Sequence, residues 1–224
     1  MKKLQHIIMI TLILIGLATP ALAQEQTDDF NVAAKHAIAI ETTTGKVLYE
    51  KDATTPNGVA SMTKILTAYM VYKAVDQGKI NWDTEVNISD YPFNLTVDSE
   101  VSNIPLDSRK YTVKQLLDAT LISSANSAAI ALAEKISGTE SAFVDTMTAQ
   151  LKEWGITDAK LFNASGLNNK YLGDNRYPGS KPNDENTMSA LDVAIIADHL
   201  IKDYPQVLEI TKRKPKLISN VTTN

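Results

Sequence analysis

The segment that most constrains the fold runs from Ser61 to Gln77, where Ile65, Leu66, Tyr69, Met70 and Val71 recur at helical spacing and Gly78 stands where a left-handed C-cap belongs. A helix with such an apolar stripe is stable only when other elements cover it, so the chain must build layers around it. Upstream, Ala37-Ile38-Ala39-Ile40 and Lys46-Val47-Leu48-Tyr49 flank Thr42-Thr43-Thr44-Gly45, the pattern of a β-hairpin. Downstream, Thr112 and Gln115 form a capping-box pair ahead of an apolar run to Ile122, and a second helix is expected from about Ser127 to Ile136, ending near Gly138. Two helices therefore meet at Ser123-Ser124-Ala125-Asn126. Further helices are expected at Ser141 to Trp154 and Ser189 to Ile201, separated by a polar loop from Asn163 to Asn186. The stretch from Ile80 to Lys110, with Pro92 and Pro105, reads as loop with short elements, and its function is not legible.

The first 23 residues read as an address. Lys2 and Lys3 precede an apolar run from Ile7 to Ala18, then Pro20 and the small-residue site Ala21-Leu22-Ala23, the three parts of a secretory signal with cleavage after Ala23. A membrane-spanning helix is the alternative, but the apolar run is short and Pro20 interrupts it. Residues 24–224 are then exported and read as the N-terminal part of one folded domain, with no second long apolar stretch. The 224 residues include no Cys, which removes thiol nucleophiles, cysteine metal clusters and disulfide staples; an exported chain of this kind relies on its core. The formal net charge is −4, and more negative still without Lys2 and Lys3, which argues against a nucleic-acid partner. No metal or cofactor site is expected.

Two short motifs carry chemistry. Ser61-Met62-Thr63-Lys64 is the sole Ser-x-x-Lys in the chain and sits at the expected start of the apolar helix. Residues three apart share a helix face, so the Lys64 amine can reach the Ser61 hydroxyl, and first-turn amides favour a developing anion. A serine becomes a nucleophile only when something takes its proton. His6 leaves with the signal, His36 opens a strand and His199 lies far along the chain, so Lys64 is the remaining base. Lowering a lysine by about three pH units costs roughly 4 kcal/mol, within reach of burial. The plainer reading makes Ser61 a helix N-cap and Lys64 a solvated cation. Ser124-Ala125-Asn126 is the sole Ser-x-Asn, and it too has a plain reading, as a polar turn between helices. In the functional reading the Ser124 hydroxyl passes protons near the Ser61/Lys64 pair while Asn126 holds Lys64 or a substrate carbonyl.

Taken together, these motifs resemble the penicillin-binding serine D,D-peptidases, whose signature is Ser-x-x-Lys, Ser-x-Asn and Lys-Thr-Gly, and in particular the low-molecular-mass D-alanyl-D-alanine carboxypeptidases of Gram-positive bacteria. Similarity extends through Thr44-Gly45-Lys46-Val47-Leu48-Tyr49, Leu121 to Ala128, Asn163-Ala164-Ser165-Gly166-Leu167, and Met188-Ser189-Ala190 before Asp192. The resemblance implies Ser61 as acylated nucleophile, Lys64 as proton acceptor, and Ser124 with Asn126 as the second active-site element. It implies a mixed α/β fold of the β-lactamase/transpeptidase type, an antiparallel sheet flanked by helices plus a helical subdomain. The implied partners are the peptidoglycan stem peptide ending in D-Ala-D-Ala, with β-lactam antibiotics as inhibitors, in cell-wall biogenesis and control of cell shape at the cell surface.

No Lys-Thr-Gly occurs among the 224 residues. The resemblance places that strand beyond Asn224, along with a β-rich domain and a membrane-associating tail, so the chain is expected to be an incomplete and poor catalyst by itself. Two alternatives stay open. A class A β-lactamase is disfavoured by Ala125, where those enzymes usually have Asp, and by the lack of a Glu-x-x-Leu-Asn. A noncatalytic wall-binding protein is kept open by the missing third motif.

Overall fold

The computed structural model describes residues 31–97 and 100–213, and the architecture below is that of the unit beginning at Ala34. The expected secretory signal lies outside the described residues.

Strands β1 (Ala37–Ile40) and β2 (Val47–Lys51) pair antiparallel, with Ala37 opposite Lys51 and Ala39 opposite Tyr49, and the register shifts between Ala39 and Ile40. The connecting turn is organised by Glu41, whose carboxylate accepts from the amides of Thr43 (2.9 Å) and Thr44 (2.7 Å). Two shorter antiparallel pairs follow: β3 (Asn57–Gly58) with β6 (Thr187–Met188), and β4 (Glu85–Asn87) with β5 (Lys110–Thr112). The mixed α/β class therefore holds, but among the described residues the pairing is divided over three two-stranded ladders where one sheet was expected.

Helix α1 (Thr63–Asp76) is the centre of the unit. It packs against α3 (Val113–Ile122), α4 (Asn126–Ser137), α5 (Glu140–Glu153) and α6 (Ala190–Asp203). Contacts on so many sides bury Leu66, Ala68 and Val71 completely and also enclose Thr63, Lys64 and Thr67. Each fully buried Leu or Val contributes about 1.5–3 kcal/mol by leaving water. At the far end of α1 an aromatic cluster closes the core: Tyr69 meets Trp154 edge-on at 4.6 Å, and Tyr72 stacks on Tyr204 at 5.3 Å. The short helices α2 (Asp90–Asn94) and α7 (Val207–Thr211) complete the set. Among the described residues no helix is long and apolar enough to cross a membrane.

Local chemistry explains most boundaries. Thr112 and Gln115 make the expected capping box on α3, and Ser189 with Asp192 makes another on α6. Gly138, at φ +82°, ends α4. One boundary differs. The apolar helix was expected to begin at Ser61, but α1 begins at Thr63, and Ala60–Met62 form a 3₁₀ turn in which the Met62 amide reaches the Val59 carbonyl at 3.0 Å. Ala60, at φ +43°, swings the chain into this turn, and no side chain caps either segment. Ser61 is not an N-cap.

Candidate active site

Ser61 lies in the 3₁₀ turn and Lys64 in the first turn of α1, and across this junction residues three apart share a face. The Lys64 ammonium nitrogen lies 3.0 Å from Ser61 Oγ. Ser61 itself is exposed, whereas Lys64 is only 3% exposed. Lys64 is not a solvated cation, and among the described residues it forms no ion pair. Its other two partners are Asn126 Oδ1 and the Ser165 carbonyl, each at 2.7 Å. Both of these oxygens only accept.

That donor and acceptor balance has a chemical consequence. An ammonium donates three N–H bonds, and a neutral amine donates two and keeps a lone pair. If Asn126 Oδ1 and the Ser165 carbonyl take the two N–H groups of the neutral amine, the lone pair faces the single partner able to donate, the Ser61 hydroxyl. Burial favours this neutral form and lowers Lys64 from 10.5 to about 7, a cost of roughly 5 kcal/mol drawn from folding. Ser61 Oγ then accepts from Ser124 Oγ at 2.9 Å, so the three side chains form a continuous path for a proton.

Ser124 and Asn126 are held by the junction of α3 and α4. Ser124 sits at φ +53°, a region costing about 1–2 kcal/mol for a residue with a Cβ. The Ala125 amide is tied back to the Ala119 carbonyl at 3.1 Å. The side-chain amide of Asn126 donates to the Ser102 carbonyl at 2.8 Å, which turns its oxygen toward Lys64. The backbone amide of Asn126 uses the same carbonyl at 3.1 Å, and Asn103 Oδ1 accepts from the Ser127 amide at 2.8 Å. The stretch that carried no legible function thus supplies the brace for Asn126.

The Ser165 carbonyl comes from the loop 163–167. Asn163 Oδ1 accepts from the amides of Ser165 (3.2 Å) and Gly166 (2.7 Å), a tight Asx turn. Buried Asn186 donates to Thr63 Oγ1 at 3.0 Å and to the Asn163 carbonyl at 2.8 Å, joining this loop to the first residue of α1. Gly166 lies directly on the Ser61 turn: at φ +81°, a Cβ there would meet the Ala60 carbonyl oxygen at 1.8 Å and Thr63 Oγ1 at 2.9 Å. No other residue type fits that seat.

The structure brings Ser61, Lys64, Ser124 and Asn126 to one point. It adds the Ser165 carbonyl, which no side-chain motif could signal, and the braces Asn163, Asn186, Ser102 and Asn103. His36 is engaged with Asp52, and His199 stacks on Trp154 at 4.3 Å, so neither His serves this centre. A cavity of about 540 Å³ beside β3, β6 and α6 reaches Met62 but is lined by none of the four converging side chains.

Comparison with known proteins gives a consistent result. The family model described as D-alanyl-D-alanine carboxypeptidase matches residues 21–224. D-alanyl-D-alanine carboxypeptidase DacF of Bacillus subtilis is 34% identical over 214 residues, covering 94% of this chain and 50% of that protein. DacA of Escherichia coli is 26% identical over 212 residues, with 89% and 49% covered. The chain thus spans about half the length of these curated relatives. Among solved structures, the peptidoglycan synthesis regulatory factor PBP3 from Streptococcus pneumoniae superposes with a TM-score of 0.83 at 62% identity, over 85% of this chain and 53% of that one. Penicillin-binding protein D2 from Listeria monocytogenes in its ampicillin-bound form gives 0.68 at 26% identity, over 83% and 68%.

Proposed function

The chain belongs to the D-alanyl-D-alanine carboxypeptidase family, and from that premise we propose that it is a serine-type carboxypeptidase that removes the terminal D-Ala of peptidoglycan stem peptides. The observation that carries this reading is the buried Lys64, whose two acceptor-only partners leave its third position to an exposed serine hydroxyl.

In this mechanism Ser61 Oγ attacks the carbonyl carbon of the penultimate D-Ala while its proton passes to neutral Lys64. The tetrahedral intermediate collapses with cleavage of the C–N bond. The departing amine of the terminal D-Ala takes a proton from Lys64 by way of the Ser124 hydroxyl, which bonds Ser61 Oγ on the outer side. Water then hydrolyses the ester on Ser61, releasing a peptide shortened by one residue. Asn126 keeps Lys64 oriented through both half-reactions. A β-lactam enters the same sequence: its ring C–N bond opens and the acyl group stays on Ser61. We further propose that residues 1–23 direct export, that residues 24–224 belong to one D,D-peptidase domain, and that the protein works at the cell surface in wall biogenesis.

The test is the intact mass of the protein after exposure to benzylpenicillin, with peptide mapping, alongside D-Ala release from a D-Ala-D-Ala peptide. The reading requires a stable adduct on Ser61 that disappears in Ser61→Ala. Rapid turnover of the penicillin without D-Ala release identifies a β-lactamase, and the absence of any adduct fits either a binding role or the poor catalysis expected of these 224 residues.

A further inference from the structure

Glu140 is a carboxyl in an unusual place. It is the first residue of α5, where a glutamate ordinarily points into water and complements the helix dipole, yet it is 7% exposed. Among the described residues no Lys, Arg or His forms an ion pair with it. A carboxyl buried without a cation is costly and needs hydrogen bonds to be tolerated at all. It has one on each oxygen. Oε2 accepts from the Tyr91 hydroxyl of α2 at 2.9 Å, and Oε1 accepts from the Ala164 amide at 2.9 Å.

Ala164 immediately precedes Ser165, the residue whose carbonyl holds Lys64. The Ala164 carbonyl is fixed as well, accepting from Thr67 Oγ1 on α1 at 2.6 Å. Both peptide groups of Ala164 are thus pinned, one to the helix that carries Lys64 and one to Glu140. Rotation of the Ala164–Ser165 segment would break one of these bonds before it withdrew the Ser165 oxygen from Lys64. Asn163 shapes the loop locally, but Glu140 ties it to α5, an element that touches none of the reacting groups.

We propose that Glu140 is a positioning residue for Lys64, acting through the Ala164–Ser165 segment to keep the Ser165 carbonyl on the lysine nitrogen. The inference rests on the reading of Lys64 as the base, and it extends the machinery to a third helix. What the role demands is an acceptor at the Oε1 position. Glutamine supplies one, with its amide group directed at the Tyr91 oxygen, whereas aspartate falls one methylene short and alanine supplies none. Without the anchor, the Ser165 oxygen drifts, water reaches Lys64 and the charged form of the lysine recovers its solvation.

The measurement is a titration of Lys64 by ¹³Cε-lysine NMR on the full chain, with Lys64 assigned from a Lys64→Arg spectrum. Burial by itself holds Lys64 to about 7 in the wild type, and burial also pushes Glu140 up to about 7, with Tyr91 and Glu134 the titratable groups facing it. Glu140→Ala and Glu140→Asp should each raise the Lys64 midpoint by at least about one pH unit, and Glu140→Gln should leave it within about half a unit of wild type. If Ala does not fold, Asp decides. A shift equally large in Gln, or no shift in Ala and Asp, overturns the proposal, because a packing role alone would lower the melting temperature without moving that midpoint. Penicillin acylation is followed in parallel: per folded molecule it should fall about tenfold in Asp and Ala at neutral pH and recover in Gln. Penicillin uptake by the wild type bears on the enzyme reading alone, and the Lys64 titration decides the role of Glu140 whether or not the wild type is labelled.

Discussion

Gly166→Ala is the most informative single change, because two distinct penalties meet at that position and the fold provides a control for one of them. The added Cβ would lie 1.8 Å from the Ala60 carbonyl oxygen, and real contacts begin near 3.0 Å, so the loop and the Ser61 turn must part by at least 1.2 Å. The backbone also stays at φ +81°, which costs alanine about 1 kcal/mol more than glycine. With the displaced hydrogen bonds of Asn163, the total should approach 3 kcal/mol, or roughly 6–12 °C in melting temperature for a unit of this size. The functional effect should be larger. The same movement carries the Ser165 carbonyl away from Lys64, and misplacement of about 1 Å commonly costs about 10²-fold in rate. Gly78→Ala is the control, at φ +68° with nothing within 4 Å of the new Cβ, so it pays the conformational cost alone. Acylation by a fluorescent penicillin, normalised to folded protein, should fall about a hundredfold in Gly166→Ala and stay unchanged in Gly78→Ala. Equal behaviour of the two variants would refute the seat of the loop against Ala60 and the catalytic weight given to it.

Other expectations follow from the same geometry. Ser61→Ala should abolish acylation while changing stability by no more than about 1 kcal/mol, since the hydroxyl caps no helix; urea unfolding and penicillin labelling check the two halves. Lys64→Arg keeps a cation but loses the base, and acylation should drop about 10²–10⁴-fold at every working pH; near-normal labelling would make Lys64 a structural cation. Lys64, lowered to about 7, makes a contribution to stability that is complete above about 10.5 and lost as pH falls to about 7, whereas that of Glu140, raised to about 7, is complete below about 4.5 and lost as pH rises to about 7. Their joint minimum lies near pH 7, so pH-resolved urea unfolding should lose its alkaline rise in Lys64→Met and its acid-side fall in Glu140→Gln, and slopes identical to wild type in both would contradict the burial argument.

What the sequence disclosed follows from the range of each interaction. The hairpin of β1 and β2, the capping box at Thr112 and the stop at Gly138 are written in residues a few positions apart, and each was legible; the capping box at Ser189 is just as local but was not read. Ser61, Lys64, Ser124 and Asn126 were legible because their chemistry resides in side-chain identity. The Ser165 carbonyl was not, since every residue carries a carbonyl and only the fold selects which one meets Lys64. Ser102 and Asn103 lay in a stretch without periodicity, and Glu140 looked like an ordinary first-turn glutamate. The start of α1 was displaced for a similar reason. A favourable N-cap at Ser61 was overridden by Gly166, about a hundred residues away, whose backbone packs on Ala60.

Several expensive features of this unit gather around one hydroxyl. Among the described residues three non-glycine positions have positive φ, and two of them, Ala60 at +43° and Ser124 at +53°, flank the Ser61 hydroxyl through the chain and through a hydrogen bond. Among the described residues neither buried Lys64 nor buried Glu140 forms an ion pair, and the Ala164–Ser165 segment connects them. Strain and desolvation of this kind persist only where surrounding packing over-determines the conformation. That packing is α1 against α3, α4 and α5, with Leu66, Leu116, Ile130 and Phe143 almost fully withdrawn from water. In the proposed mechanism these costs serve the Ser61 oxygen: Ala60 turns Ser61 outward, Ser124 is aimed at it, and the loss of solvation would keep Lys64 able to accept its proton. A core substitution that loosens α1 against α4 should therefore relax Lys64 toward ordinary lysine behaviour, and so impair acylation, well before it unfolds the chain.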